Sequence, residues 1–536
     1  MRRFLLITLL LAGLAARAAD IRSEAIEAHI RFLADDLLEG RETGTRGFDI
    51  AASYVASEFV SAGLAPAGTD GAWFQPIPFR AAQLVPERCS FVVRQAGKAA
   101  TLEHRKDVLL RPDFAAAEVA VAAPVVFAGF GIVAPELGHD DYASIDARGK
   151  IVLTITGAPA AFPSDQRALY SSGDQKEAAA AAHGAVGLLQ VKSITDERRF
   201  PFEKTARQTN ITPMRFLGPD GKPANVVPQL RVQATLNRPA AAKLFAHAPV
   251  DLERVLDDAE KGIGHSFPLD ARISTRVVTR FRQVSSRNIA GVLRGSDPAL
   301  RNEYVVYTAH LDHLGANGAG ADKIYNGALD NGSGIAALVE IARAFAALPK
   351  PPARSVLFVA VTGEEKGEQG SQYFAEFPTV PREAIVADIN MDMFQMHYPV
   401  ADLVALGGEH TTLGEQARSA AETVGFTLTA DPQPEEVRFI RSDQYSFVKK
   451  GVPAIHLKAG PHSSDASIDG VQVSRDWLRT VYHTPKDDLQ QRIDFPSGAR
   501  YAQTNFLLGL AVANAPERPK WKERDFFGEK FGRRAR

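Results

Sequence analysis

Five apolar runs in the second half of the chain constrain its fold more than any other feature. "NIAGVLRG", "EYVVYTAH", "RSVLFVAVTG", "AIVADINMDMF" and "VPAIHL" are each short enough to be a strand. Their apolar residues are largely consecutive rather than alternating, as expected where both faces of a sheet are covered. Helical patterns lie between them, notably "GIAALVEIARAFAAL". Strands alternating with helices predict an α/β fold built on a doubly wound, mostly parallel sheet.

The first half has a different texture. "IEAHIRFLADDL" and "DIAASYVASEFVSAGL" space apolar residues three and four apart, so residues 21–79 read as helices broken at "GRETGTRG". Residues 118–238 hold short β-rich runs, such as "GKIVLTITG" and "AVGLLQV", around one alanine-rich helix, "KEAAAAAHG". That stretch reads as a separate small module, and 239–264 as a short helical return. With 536 residues, 45% of them hydrophobic, the chain is long enough for two or more domains. A formal net charge of -1 gives no pull toward nucleic acid. The closing "RPKWKERDFFGEKFGRRAR" mixes acids into its basic residues and reads as a solvated tail.

"MRRFLLITLLLAGLAARAAD" opens with two arginines, an apolar run and the small residues of a cleavage site. It predicts an export signal over residues 1–18, and therefore a secreted or periplasmic protein with no stable membrane span. Cys89 is the one cysteine, so no intrachain disulfide is available. It reads as a small buried apolar residue.

In a doubly wound sheet, ligands bind beyond the carboxyl ends of the strands. His310, Asp312 and His313 follow "EYVVYTA", and Asp330 lies in "NGALDNGSG" just before a helix. Glu364 and Glu365 follow "SVLFVAVTG", Asp392 follows "AIVADIN", and "VYHTPKDD" supplies His483. Imidazoles and carboxylates gathered from five segments are costly to bury without compensation. A divalent cation resolves that cost, and zinc takes nitrogen and oxygen ligands. Five ligands exceed the three typical of one catalytic zinc, but fit two cations about 3.5–4 Å apart sharing a carboxylate. One of the paired glutamates can then bind a cation while its neighbour accepts a proton from water.

"AHLDHLG", "GALDNGSG", "TGEEKGEQGS", "NMDM" and "YHTP", in that order, resemble the dizinc aminopeptidase family of the aminopeptidase Y and bacterial leucyl aminopeptidase type. "LLEGRETGTRG" supports the likeness, and "AGFGIVAPELGHDDYASIDARGKIVL" resembles the protease-associated domain often inserted in that family. The resemblance implies a zinc exopeptidase-like fold with peptidase parts at 20–110 and 273–516. It also implies an inserted β-rich protease-associated domain at 111–272, leaving a basic tail at 517–536. By position it implies two zinc ions, with His310 and Asp392 on one, Glu365 and His483 on the other, and Asp330 bridging them. Glu364 would be the general base, Asp312 would orient His310, and the Asp330–Asn331 peptide would be cis.

One departure stands out. Where simpler members place a tyrosine before the "SD" pair, this chain has Phe439, leaving Arg441, Tyr445 and Tyr482 as candidate oxyanion donors. His313 reads as neighbouring structure, Asp487 and Asp488 as a cap or outer shell, and His456 as packed rather than ligating. The expected activity is removal of N-terminal residues from peptides. A carboxypeptidase on the same site would need a cationic clamp, for which Arg438 and Arg441 are candidates. An aminoacyl cyclase should need one zinc, and an inactive binding ectodomain should have lost ligands, whereas this set is intact.

Overall fold

The computed structural model describes residues 21–208, 211–318 and 320–532; the expected export signal lies outside them. Two compact units emerge, one formed by residues up to Ile77 together with those from Ser285 onward, the other by Pro78–Val284. Among the described residues, no helix is long and apolar enough to cross a membrane.

The first unit is built on four parallel strands, β1 (Tyr304–His310), β2 (Ser355–Val361), β3 (Ile385–Asn390) and β4 (Ala454–Ala459). β1 pairs with β2 from Tyr304↔Ser355 to His310↔Val361, and with β3 on its other side. β3 continues in parallel to β4, and antiparallel strands border the set at residues 289–293 and Asp402–Leu406. Every residue of β1, β2 and β3 is buried, which explains the unbroken apolar runs. Alternate side chains serve opposite faces. Val305, Tyr307 and Ala309 join Val356, Phe358 and Ala360 in one core, while Val306 joins Leu357, Val359 and Val361 in another. Helices α1 (Ser333–Ala346) and α3 (Phe495–Asn514) pack on the first face, and α2 (Gln369–Glu376) places Phe374 on the second. This is the expected doubly wound α/β arrangement. Because β1, β2 and β3 run in parallel, the polar residues that follow them emerge at one edge.

The second unit has its own mixed sheet. Ile151–Ile155 pairs in parallel with Glu118–Ala128 and with Gly187–Val191, which continues in parallel to Gln233–Leu236. The alanine-rich segment forms the helix Gly173–Ala182, and Arg238–Leu244 and Leu252–Glu260 form the helical return. This unit starts at Pro78 and ends at Val284, wider than the 111–272 that the resemblance implies. The reason is strand pairing: residues 90–94 pair with 272–276, and residues 79–81 with Met214–Phe216.

The C-terminal segment is docked rather than solvated. Trp521 bridges to Thr411, and the helix Phe526–Phe531 buries Phe527 against Phe439 and His410. His410 Nδ1 also lies 2.7 Å from the Asp525 carboxylate.

Candidate metal centre

The "TGEEKG" turn answers why two glutamates stand side by side. β2 ends at Val361, and Gly363 and Gly367 take left-handed φ values of 69° and 90° on either side of a single 3-10 turn. Such values strain any residue with a Cβ. The Asp312 carboxylate accepts the Glu364 backbone N–H at 3.1 Å and the Glu365 N–H at 3.4 Å, and Thr43 donates to it at 3.0 Å. Asp312 therefore anchors the turn. The part expected of its side chain, orienting His310, falls to its main chain: His310 Nδ1 donates to the Asp312 carbonyl at 3.1 Å. That bond turns His310 Nε2 toward the carboxylates.

Asp330 stands between two groups of donors. Its Oδ1 is 3.3 Å from His310 Nε2, which is also 3.3 Å from Asp392 Oδ1. Its Oδ2 is 3.3 Å from His483 Nε2, which lies 3.2 Å from Glu365 Oε2. The Asp330–Asn331 peptide is cis. The structure thus brings together all five residues expected to hold cations, with Asp330 shared. His313 joins the second group: its Nδ1 is 2.6 Å from Glu365 Oε1 and 3.9 Å from Asp330 Oδ2.

Burial alone would raise the Asp330 carboxyl, but His313, His310 and His483 outweigh it and hold it well below the ordinary carboxylate range. Burial would likewise raise Glu365, yet His483 and His313 bring it down to about 2. Glu364 is the exception. Burial lifts it well above the ordinary range, and Glu365 and Asp392 add to that rise. The two adjacent glutamates are pushed apart in acidity, which is how one site assigns two roles to one residue type.

The donor chemistry fits divalent cations. Both ring nitrogens of His313, together with Glu365 Oε1, are buried without a hydrogen-bond partner. His313 Nδ1 and Glu365 Oε1 are close but lack hydrogen-bond geometry, so their lone pairs remain uncommitted. Two triads, His310–Asp330–Asp392 and His313–Asp330–Glu365, each hold three donor atoms within 4.8 Å of one another. Imidazole with carboxylate is a set that suits zinc.

Around this centre the other sequence expectations sort themselves. Asp487 is fully buried and accepts the Leu329 and Asp330 N–H groups at 3.0 Å each, fixing the bridging loop from behind. Asp488 accepts the Gln490 N–H in a local turn. His456 packs against the Asp392 backbone, with Nε2 2.9 Å from its carbonyl, which Lys458 also approaches at 3.0 Å. Phe439 lies under Phe527 and His410, and Tyr445 faces Phe527 and Phe531. Arg441 is partly exposed beside Glu436. Tyr482 is stacked on His483, with ring centres 3.8 Å apart.

His313, read from the sequence as neighbouring structure, stands among the donors themselves. Sequence reasoning passed over Arg41, in "GRETGTRG", whose buried guanidinium donates to the Leu311 carbonyl at 3.0 Å, Asn326 at 2.5 Å and Gly327 at 3.1 Å. Burial lowers it to about 10, against the pull of Asp487, Asp330 and Asp312. It ties the loop after β1 to the loop carrying Asp330. The unusual N-terminal signature was the available signal.

Comparison with known proteins agrees with this geometry. "Aminopeptidase YwaD" of Bacillus subtilis (strain 168) is 26% identical over 252 residues, covering 46% of this chain and 48% of that protein. A "Probable zinc metalloprotease" of Pyrenophora tritici-repentis (strain Pt-1C-BFP) is 27% identical over 265 residues, 44% of this chain and 59% of that protein. The chain thus spans about half the length of these curated relatives. The solved structure titled "Aminopeptidase from Aneurinibacillus sp. strain AM-1" has a TM-score of 0.55 and 17% identity, covering 93% of this chain and 96% of that one, a likeness of fold. Residues 288–508 of this chain match the model described as "Peptidase family M28".

Proposed function

We propose that this protein is a zinc metalloexopeptidase that releases single residues from the free amino end of peptides, using two zinc ions per chain. The observation that carries the reading is Asp330, whose two carboxylate oxygens face two separate donor groups while Glu364 stands beside them with its acidity displaced from that of Glu365. His310 and Asp392 would hold one cation, Glu365 and His483 the other, and Asp330 both. Cations bound there would supply Lewis-acid polarisation of the scissile carbonyl and of the attacking water.

The chain's own residues do the rest. Glu364 takes the proton from the attacking water and returns it to the leaving amine. Asp312 keeps Glu364 in place through its backbone N–H. The Tyr482 hydroxyl is the donor for the developing oxyanion, since Phe439 has none and Tyr445 faces the C-terminal helix. Carboxylates of Glu365 and Asp392 receive the N–H donors of the substrate's free amine. Amine and scissile carbonyl lie a fixed short distance apart only at a peptide's first residue, so the arrangement selects an exopeptidase.

The cationic groups required by the carboxypeptidase alternative are already engaged, Arg438 with Asp431 and Arg441 with Glu436. Residues 78–284 include the stretch resembling a protease-associated domain and would serve to bind part of a substrate or partner. The opening segment fits export to the periplasm or beyond. Zinc-loaded protein incubated with free and N-acetylated peptides tests the reading: single residues should leave from the free amino end, with acetylated peptides nearly inert. Mass spectra showing loss from the C-terminus, indifferent to acetylation, would overturn it.

A further inference from the structure

The unit Pro78–Val284 contains a cavity of about 270 Å³ that the chemistry above does not use. Three elements bring charge to its wall. Arg111 follows the strand Val108–Leu110, Arg215 lies within Met214–Phe216, and Glu177 projects from the helix Gly173–Ala182. Arg111 Nη1 is 3.2 Å from Gln233 Oε1 and 3.4 Å from Glu177 Oε1. The Arg215 guanidinium lies over the Phe114 ring, 5.2 Å from its centre.

The charges are not balanced. Burial lowers Arg215, and the like charge of Arg111 adds to the effect, so two guanidiniums converge where neither is fully solvated. Arg231 supplies a third at the same cavity. Of the two carboxylates in the lining, Asp113 is committed to its own turn, its Oδ1 accepting the N–H groups of Ala115 and Ala116 at 2.7 Å each. Glu177 remains in the lining to face the arginines, and Asp174 acts on Arg215 from the same helix. The rest of the wall is apolar, contributed by Phe114, Val227 and Leu230.

We propose that this cavity binds a carboxylate carried on a compact apolar body, as presented by the last residue of a peptide or by a free amino acid. A planar monoanion meets a guanidinium through two parallel hydrogen bonds. A phosphate dianion would be repelled by Glu177 and poorly served by the apolar wall. The two sources of the carboxylate differ at the other end of the ligand. A free amino acid brings an ammonium group to Glu177, whereas a chain end brings an amide.

The test uses the full chain with N-acetyl-L-leucine, L-leucine and N-acetyl-L-leucinamide, read by calorimetry and by hydrogen-exchange mass spectrometry. At least one of the two acids should bind saturably, the amide should not, and protection should fall on residues 111–114, 213–215 and 225–233. Tighter binding of leucine identifies the free amino acid as the ligand, and tighter binding of N-acetyl-leucine identifies the chain end. Arg111→Gln, a change at an exposed side chain, should weaken the better ligand about 10- to 100-fold, the worth of one charge-assisted bond. Arg215→Met should do the same, with Arg111→Gln guarding against a folding defect in that variant. Absence of saturable binding overturns the proposal. So does equal binding of the amide, indifference to Arg111→Gln, or protection confined to the strand ends around His310 and Asp392. None of these readouts depends on hydrolysis, so the proposal stands or falls apart from the peptidase reading.

Discussion

The two units bury charge in opposite ways. At the strand ends of the first, three imidazoles and three carboxylates share one space, and His313 and Glu365 keep buried lone pairs that no hydrogen bond uses. In the second, Lys176 is buried singly, its ammonium donating to the carbonyls of Phe130, Ile155 and Gly157. Both environments displace acidity strongly: burial drags Lys176 down to about 7, which Asp141 and Asp196 only partly offset. Displaced acidity alone therefore does not mark a site. What separates the two is whether the neighbours are saturated. Carbonyls close around Lys176 and leave nothing to bind, whereas the donors around Asp330 converge and remain open.

Removing the shared residue should break that contrast most severely. Asp330→Ala takes an oxygen from each donor group at once, so elemental analysis should find the content of both cations reduced together. Turnover should fall by about 10⁴-fold, as losing several kcal/mol of cation assistance implies. A variant that kept one full equivalent of tightly bound metal would show that the two groups are independent.

The glutamate pair sharpens the same comparison. Glu364→Gln keeps the shape and removes the base, so turnover should drop roughly 10²–10⁴-fold with metal content intact. Glu365→Gln should lose metal together with activity. If both variants kept their metal and most of their rate, the division of roles would be wrong. A smaller effect, about 10- to 100-fold, is expected of Asp312→Ala, which leaves every proposed ligand in place but frees the turn that carries both glutamates. Its loss should lie in kcat. An unchanged kcat would make the Asp312 contacts incidental.

These residues explain what was legible in the sequence. Groups that follow a strand in a parallel sheet must gather at one edge, so His310, Glu364, Glu365 and Asp392 could be placed together from the strand pattern alone. Asp330 and His483 were placed by motif order. The role of Asp312 was misplaced because the choice between its carbonyl and its carboxylate depends on loop geometry that no pattern encodes. Arg41 was invisible for a related reason: its acceptors are main-chain carbonyls far along the chain. The start of the second unit at Pro78 and the docking of Phe527 depend likewise on pairings between distant segments. Texture sees composition, not partners.

The smallest effect concerns Lys176, and it runs against the usual direction for a cation. Its folded acidity, about 7, lies below the ordinary lysine value of 10.5. Below pH 7 both folded and unfolded chains carry the proton, and the cost of burying the ammonium is fully present. Between pH 7 and 10.5 the unfolded chain keeps a proton that the folded unit has released, so this group makes the fold more stable as pH rises. The slope is at most about 1.4 kcal/mol per pH unit. Lys176→Met removes the titration and leaves three carbonyls without their donor, so the variant should melt below the parent at pH 9. On acidification the gap should narrow by a few degrees, since about 1 kcal/mol moves the midpoint of a domain this size by about 2–4 °C. Thermal melts of both proteins at pH 6, 7, 8 and 9, followed in the Pro78–Val284 unit by hydrogen exchange, give the comparison. A gap that stays constant, or widens toward pH 6, would mean that the carbonyls hold the ammonium comfortably and that burial of a single charge in this unit is not the strain described.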